Sequence, residues 1–263
     1  MKLGCFGKIS HMEAVERAGF DAIELDFCEL VALSEEAWRR FYLLAQKSSL
    51  TFEVLSGLLP PDIRIYEECF DALRWLLHIR RGCERAVELG TRLIPFGAGK
   101  SRSILGGCQN RRACEEKLEG FVGQICDIFS DYGMTLVIEP LGPAYSNYLN
   151  TLDEAKDLAL RTGRKNCKIM CDLRHMVKSG ESFGEILRYK DDILHAHIDY
   201  PEGEQRFFPR THDGYDYMPY LSALGASGYK GILTIEATQY RNFYAEALEG
   251  RSCLEKLLNF NRK

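Results

Sequence analysis

The chain has 263 residues, 46% hydrophobic and 27% charged, a balance that excludes wholesale disorder. Its 34 Lys and Arg stand against 38 Asp and Glu, a net charge of −4. That removes the usual electrostatic footprint of a nucleic-acid binder and makes a small polar molecule the expected ligand.

Short apolar runs of strand type alternate along the chain with longer runs of helical period. The predicted strands are LGCF (3–6), AIELDF (22–27), TFEVLS (51–56), RLIPFG (92–97), TLVIEP (135–140), KIMCDL (168–173), ILHAHID (193–199) and GILTIEA (231–237). They are rich in Ile, Leu, Val and Phe, as strands buried on both faces must be. Between them lie helical stretches such as SEEAWRRFYLLAQKS, FDALRWLLHIRRGCERAVELG, ACEEKLEGFVGQICDIFSDYG and LDEAKDLALRTG. Several end in a glycine suited to a helix C-terminus, among them Gly90 and Gly133. Eight strand–helix units of about 33 residues account for the whole length. No linker divides the chain, and the G-x-G-x-x-G turn of a doubly wound sheet is absent after the first strand. The expected fold is α/β, a single (β/α)8 TIM barrel domain spanning residues 1–263.

No apolar run reaches the ~20 residues of a membrane span. The N-terminal MKLGCFGKIS lacks the apolar core of a signal peptide. The ten cysteines, including Cys108 and Cys114, form no C-x-x-C pair. They read as scattered thiols in a reducing cytoplasm, with Cys167 and Cys171 alternating inside one strand.

Barrels of this kind do their chemistry at the C-terminal ends of the strands. Strand five ends in Glu139, strand six in Asp172, strand seven carries His195 and His197, and strand eight ends in Glu236. Glu139, Asp172, His197 and Glu236 are 33, 25 and 39 residues apart, about one unit each, so they converge on one rim. Three carboxylates and an imidazole suit one divalent cation. Oxygen-rich ligation favours Mn²⁺, with Mg²⁺, Co²⁺ and Zn²⁺ as alternatives.

The motifs GFDAIELD (19–26), FGAGKSR (96–102), IEPLGPAYSNYLNT (138–151), CDLRHM (171–176), HAHIDYPEGEQRFFP (195–209) and DGYDYMPYLSALGASGYKGILTIEA (213–237) span nearly the whole chain. In this order they resemble the sugar phosphate isomerase/epimerase family of xylose isomerase-like barrels, relatives of ketose 3-epimerases and of endonuclease IV-type barrels. The resemblance implies that Glu139, Asp172, His197 and Glu236 hold a catalytic metal. It also implies that His175 and Arg206 contact a sugar. The implied reaction is isomerisation or epimerisation, in which Glu139 and Glu236 move a proton through a metal-stabilised enediolate. Homo-dimers and homo-tetramers are common in the family.

Phe6, Phe96 and Tyr145 are placed to line the pocket. Lys100, Ser101 and Arg102 could hold a phosphate or carboxylate at the rim. His195 reads as a core or supporting histidine, and Glu24 as either a pocket residue or a structural hydrogen-bonding group. His212 and Asp213 read as solvent-exposed, and Trp38 and Trp75 as packing residues. Two departures concern the substrate end. Tyr145 stands where many ketose 3-epimerases have Glu, and the segment from His197 to Arg206 differs in length from theirs.

Alternative activities are disfavoured by particular residues. An endonuclease IV-type trinuclear zinc site needs extra histidines on early strands, and LSGLLPP and PFGAG carry none. A Schiff-base aldolase needs a Lys at a strand's C-terminal end, whereas Lys168 begins its strand. An inosose-type dehydratase shares the first proton abstraction and differs in product. A non-catalytic metal- or sugar-binding barrel would not require the full set of four ligands.

Overall fold

The computed structural model describes residues 1–104 and 110–260. Strands and helices follow each other as β1 (Lys2–Gly7), α1 (Met12–Arg17), β2 (Ala22–Asp26), α2 (Phe27–Ala32), α3 (Glu35–Ala45), β3 (Leu55–Ser56) and α4 (Ala72–Glu88). Next come β4 (Leu93–Phe96), α5 (Gly99–Arg102), α6 (Arg111–Asp131), β5 (Thr135–Ile138), α7 (Leu152–Arg161) and β6 (Cys167–Asp172). The chain finishes with α8 (Leu173–Ser179), α9 (Glu185–Arg188), β7 (Ile193–Ile198), α10 (Met218–Ala226), β8 (Ile232–Ile235) and α11 (Phe243–Phe260).

All the strand pairings are parallel, in the order β3-β2-β1-β8-β7-β6-β5-β4. The first and last strands of the chain pair with each other, Cys5 opposite Ile235. A single bridge, Val54 to Leu93, links the third strand to β4 and completes the ring. This is the (β/α)8 barrel that the alternation of runs predicts.

The third strand is irregular, and the β6–β7 register also shifts between Ile169 and Met170. Ala22 pairs with Thr51 and Leu25 with Leu55, so three steps on β2 match four on its partner. The extra residue is a β-bulge, and it shortens the regular ladder of the expected 51–56 strand to Leu55–Ser56.

Helices bury one face against the barrel. In α6 the buried set includes Leu118, Val122, Ile125 and Phe129, spaced by three and four residues. Each such side chain contributes about 1.5–3 kcal/mol of transfer free energy. On α4, Gly82 leaves room for the ring of Phe27. Gly90, after α4, takes a φ of +82°, a left-handed conformation that side chains other than glycine rarely adopt. Trp38 is buried on α3 beneath the Arg85 guanidinium, and Trp75 is half-buried on α4, so both pack as expected.

Three short helices were not foreseen: α2, α5 and α8. Each begins within three residues of a strand's end, and at four to seven residues is too short for a periodic pattern. Side chains at the strand ends start two of them. Asp26 accepts from Glu29 N at 2.8 Å, and Asp172 accepts from His175 N at 3.0 Å.

Among the described residues, no helix is long and apolar enough to cross a membrane. Cys5, Cys83, Cys126, Cys167, Cys171 and Cys253 are buried thiols, Cys28 is half-buried and Cys69 exposed. Cys114 is disulfide-bonded, against the expectation of thiols throughout. Cys108 lies outside the described residues.

Candidate metal centre

The C-terminal ends of β5 to β8 converge four side chains. Glu139 follows β5, Asp172 ends β6, His197 is the penultimate residue of β7 and Glu236 follows β8. The ladder sets their heights: Asp172 is in register with His197, and Glu236 N donates to Ile198 O at 3.0 Å. One ligand atom from each of the four lies within 4.8 Å of the others. His197 Nδ1 is 3.2 Å from Glu236 Oε2, 3.5 Å from Glu139 Oε1 and 3.7 Å from Asp172 Oδ2. Glu139 Oε1, His197 Nδ1 and Glu236 Oε2 are buried and make no directed hydrogen bond. Buried polar atoms without hydrogen-bond partners are costly, and Glu139 Oε1 and His197 Nδ1, aimed at one point beside the Arg206-paired Glu236 Oε2, fit a cation.

Glu24 fixes the histidine. Its two carboxylate oxygens accept from His197 Nε2 at 3.0 Å and His195 Nε2 at 2.9 Å, and Ser56 Oγ also donates to it. With its Nε2–H held by Glu24, His197 turns Nδ1 toward the other carboxylates, where it would offer a lone pair to a cation that displaces the second ring proton. Glu24, His195 and His197 also form a cluster of metal-ligand residue types. Direct hydrogen bonds occupy the space a cation would need there, so the cluster acts as a support. Glu24 is therefore the structural hydrogen-bonding group of the two roles considered, and His195, fully buried, sits beside it.

The electrostatics follow from this crowding. Burial pushes the Glu139 carboxyl up, reinforced by the charges of Glu236 and Asp172 and opposed by His197. Burial acts the same way on Glu236, but Arg206 and His197 outweigh it and hold that group below its ordinary value. The two carboxyls facing the cavity are thus driven apart. His197 is held well above the usual imidazole range, because Glu24, Glu236, Asp172 and Glu139 overcome the desolvation that opposes its charge.

Arg206 and His175 form one wall. Arg206 Nη1 lies 2.5 Å from Glu236 Oε2, 3.2 Å from Asp172 Oδ2 and 3.2 Å from Asp199 Oδ2. Its Nη2 is 2.7 Å from His175 Nε2, while His175 Nδ1 accepts from Gly142 N at 3.1 Å. Burial lowers His175 to about 4, so the ring is neutral. A neutral imidazole has one lone pair, yet two donors address it. An acceptor between Arg206 and His175 would resolve that conflict.

A cavity of about 160 Å³ opens onto this centre. Glu139 and Glu236 line it together with Leu58, Leu59, Phe96 and Ala98. A larger cavity of about 450 Å³, lined by Tyr42, Leu50 and Arg92, lies at the opposite end of the barrel, where strands begin. Of the residues expected in the pocket, Phe96 lines it. Tyr145 sits edge-on to His175 with ring centroids 4.9 Å apart. Phe6 is in register with Glu24 and shares its inward face.

Two expected residues are not brought to the cavity. Arg102 is fully buried and donates to the carbonyls of Phe96, Glu139 and Leu149 at 3.1, 2.8 and 3.1 Å. It braces the strand ends from behind. Lys100 is exposed on α5, and Ser101 is buried. His212 is exposed, but Asp213 is half-buried and accepts from Arg210 N, Tyr215 N and Tyr217 Oη within its own loop. Asp199 and Arg174, which join the Arg206 wall, were not anticipated. Their only signal is a charged residue at an apolar strand end and another inside the CDLRHM motif.

The description "Xylose isomerase-like TIM barrel" belongs to the family model that matches residues 12–257. The chain belongs to this family. A ketose 3-epimerase of Arthrobacter globiformis is 29% identical over 264 residues, covering 90% of this chain and 83% of that protein. Among solved structures, an L-ribulose 3-epimerase superposes with a TM-score of 0.82 at 19% identity, over 99% of this chain and 95% of the other. The IOLI protein, solved with a bound zinc atom, gives a TM-score of 0.79 at 16% identity, over 99% of each chain.

Proposed function

We propose that this chain is an enzyme, a divalent-cation-dependent isomerase or epimerase of keto sugars, with residues 1–263 acting as one barrel domain. The observation that carries the reading is the convergence of Glu139, Asp172, His197 and Glu236, in which Glu139 Oε1 and His197 Nδ1 are buried without a hydrogen bond and Glu236 Oε2 has only the ion pair of Arg206. Charge supports it. Five carboxylates at this end of the barrel, Glu24, Glu139, Asp172, Asp199 and Glu236, face three guanidiniums, those of Arg102, Arg174 and Arg206. With His197 as a neutral ligand, one divalent cation would offset this excess of two negative charges; without it, the excess raises the proton affinity of His197 and Glu139. The ketose 3-epimerase and L-ribulose 3-epimerase similarities support keto sugars as substrates. The oxygen-rich donor set favours Mn²⁺, with Mg²⁺, Co²⁺ and Zn²⁺ as alternatives.

When bound, the cation would polarise neighbouring carbonyl and hydroxyl oxygens of the sugar and acidify the C–H between them. The chain's own residues then move the proton. In this reading Glu236, held ionised by Arg206, takes the proton from carbon. Glu139, with its raised affinity for protons, delivers one from the other face. Return to the same carbon with inversion is epimerisation; return to its neighbour is isomerisation. Arg206 and His175 donate to one sugar oxygen, which also relieves their mutual conflict. Arg206 is shared among carboxylates, Arg102 is committed to carbonyls, and Lys100 is exposed. The reading is therefore of an uncharged sugar.

The test is a screen of keto sugars in D₂O with added Mn²⁺. Deuterium should enter at one carbon next to the carbonyl. Glu236→Gln should abolish this exchange while Mn²⁺ still binds. Full exchange in that variant would remove Glu236 from the mechanism, and a new ultraviolet-absorbing product would indicate dehydration instead.

A further inference from the structure

Arg174 stands between Asp172 and His175 on α8 and is fully buried. None of its contacts reaches the cation centre. Its Nε lies 3.0 and 2.8 Å from the two oxygens of Asp199. Nη1 donates to Gly203 O at 3.1 Å, and Nη2 donates to Gln205 O at 2.8 Å and to Tyr200 O. Three carbonyls from six consecutive residues thus converge on one guanidinium, so the loop after β7 is wound around it.

The loop leads directly to Arg206. An antiparallel bridge from Tyr200 to Phe207 closes it, with Tyr200 N donating to Phe207 O at 3.0 Å. The carbonyl of Arg206 accepts from Thr238 N at 3.0 Å and Gln239 N at 2.9 Å, which ties the same point to the segment after β8. Asp199 is shared by both arginines, since Arg206 Nη1 reaches its Oδ2 at 3.2 Å.

We infer that Arg174 is the positioning residue of this loop, setting the direction in which Arg206 projects over the cation centre. The chemistry requires arginine. A planar fork with five N–H donors can serve a carboxylate and three carbonyls together, whereas a lysine ammonium has three donors at one point. Without the fork, the loop carbonyls lose their buried partner. Asp199 is then left with Arg206 alone and draws that guanidinium away from Glu236. A displacement of about 1 Å in such a group can cost about 10²-fold in turnover.

What Arg206 does for a substrate rests on the proposed function, so the experiment reads the loop and the substrate separately. Wild-type, Arg174→Lys and Arg174→Met proteins are compared, each full-length and loaded with Mn²⁺. Arg174→Lys keeps a positive charge beside Asp199, which guards against simple misfolding. Amide hydrogen exchange should accelerate across residues 200–207 in both variants. The Mn²⁺ Kd should stay within about threefold of wild type, because the ligands are untouched. On a keto sugar that the wild type deuterates, kcat/KM should fall about 10²-fold, and Lys should not rescue it. Wild-type loop exchange and wild-type kcat/KM in Arg174→Lys would overturn the inference. So would Mn²⁺ binding that collapses in step with turnover, since Arg174 would then be holding α8 and not the loop. If the wild type deuterates no keto sugar, the proposed function fails, while the amide exchange still decides whether Arg174 holds the loop.

Discussion

Replacing Glu24 separates two things that it supplies to His197: a negative charge and an acceptor that fixes the ring proton. In Glu24→Gln the amide oxygen should take the Oε1 position, where both His197 Nε2 and Ser56 Oγ donate. The amide NH₂ then faces His195, whose ring can carry its proton on Nδ1 instead. His197 keeps its tautomer and loses only the neighbouring charge. In Glu24→Leu the acceptor is gone, so the His197 proton redistributes between its two nitrogens and the ring is no longer held.

Loss of a group that orients a metal-binding histidine typically costs 10–100-fold in metal affinity, about 1.4–2.7 kcal/mol. The Gln variant should fall at the lower end, with a Mn²⁺ Kd about tenfold weaker, and the Leu variant at the upper end, about 100-fold weaker. Calorimetric titration at fixed pH measures both. Thermal unfolding checks that the Leu variant folds, because it strands buried donors at about 1–3 kcal/mol each. A Leu variant that binds Mn²⁺ as tightly as wild type, or Gln and Leu variants weakened alike, would refute the tautomer argument.

Free Mn²⁺ at 100 times its Kd should stabilise the fold by about 2.7 kcal/mol, reversed by a chelator; a Tm indifferent to Mn²⁺ would count against the centre. Because the carboxylates raise the proton affinity of His197 in the cation-free protein, cation uptake must displace protons, and the affinity should rise with pH. Calorimetric heats that do not change with the buffer's ionisation enthalpy would contradict this. Gly97→Ala would push a methyl into the Glu139 carboxylate and should weaken Mn²⁺ about tenfold or more with little change in Tm; unchanged affinity would show that the centre does not depend on the present position of that carboxylate. Burial pushes Glu181 up to about 7, with Glu185, Glu154 and Asp153 adding to it against the Leu152 N–H bond. The folded chain therefore holds this proton to higher pH than the unfolded chain, and stability drops as pH rises from about 4.5 to 7. Glu181→Gln escapes that loss, so in urea unfolding it should gain on wild type between pH 5 and 8, by about 1 kcal/mol given partial exposure. A gap that does not grow with pH would refute the assignment.

The four converging groups were legible because each interrupts or ends a strongly apolar run, and the parallel barrel forces such ends together. The support beneath them was not. Glu24 meets His195 and His197 across 171 and 173 residues of sequence, from strands on different arcs of the ring. Only a closed barrel with a known register makes them neighbours. Arg102 misled for a physical reason. A basic residue beside glycines resembles an anion-binding loop, but α5 turns the side chain inward to the carbonyls of the strand ends. Arg174 and Asp199 sit inside recognisable motifs, yet their roles depend on where a loop's carbonyls point, which no residue pattern records. The bulge in the third strand is hidden likewise, because TFEVLS reads as uninterrupted strand.

The single bridge between the third strand and β4 has a mechanical consequence. The arc from β5 to β8 is held by several paired residues at each junction, with one register shift between Ile169 and Met170, whereas one bridge joins the third strand to β4. The ring therefore has a stiff side and a seam. Ligating groups stand on the stiff side, and Leu58, Leu59 and Phe96 stand on the two lips of the seam. Strain that widens the mouth opens the seam first, so the entrance can yield to a guest of different girth while the spacing of the four ligands is kept.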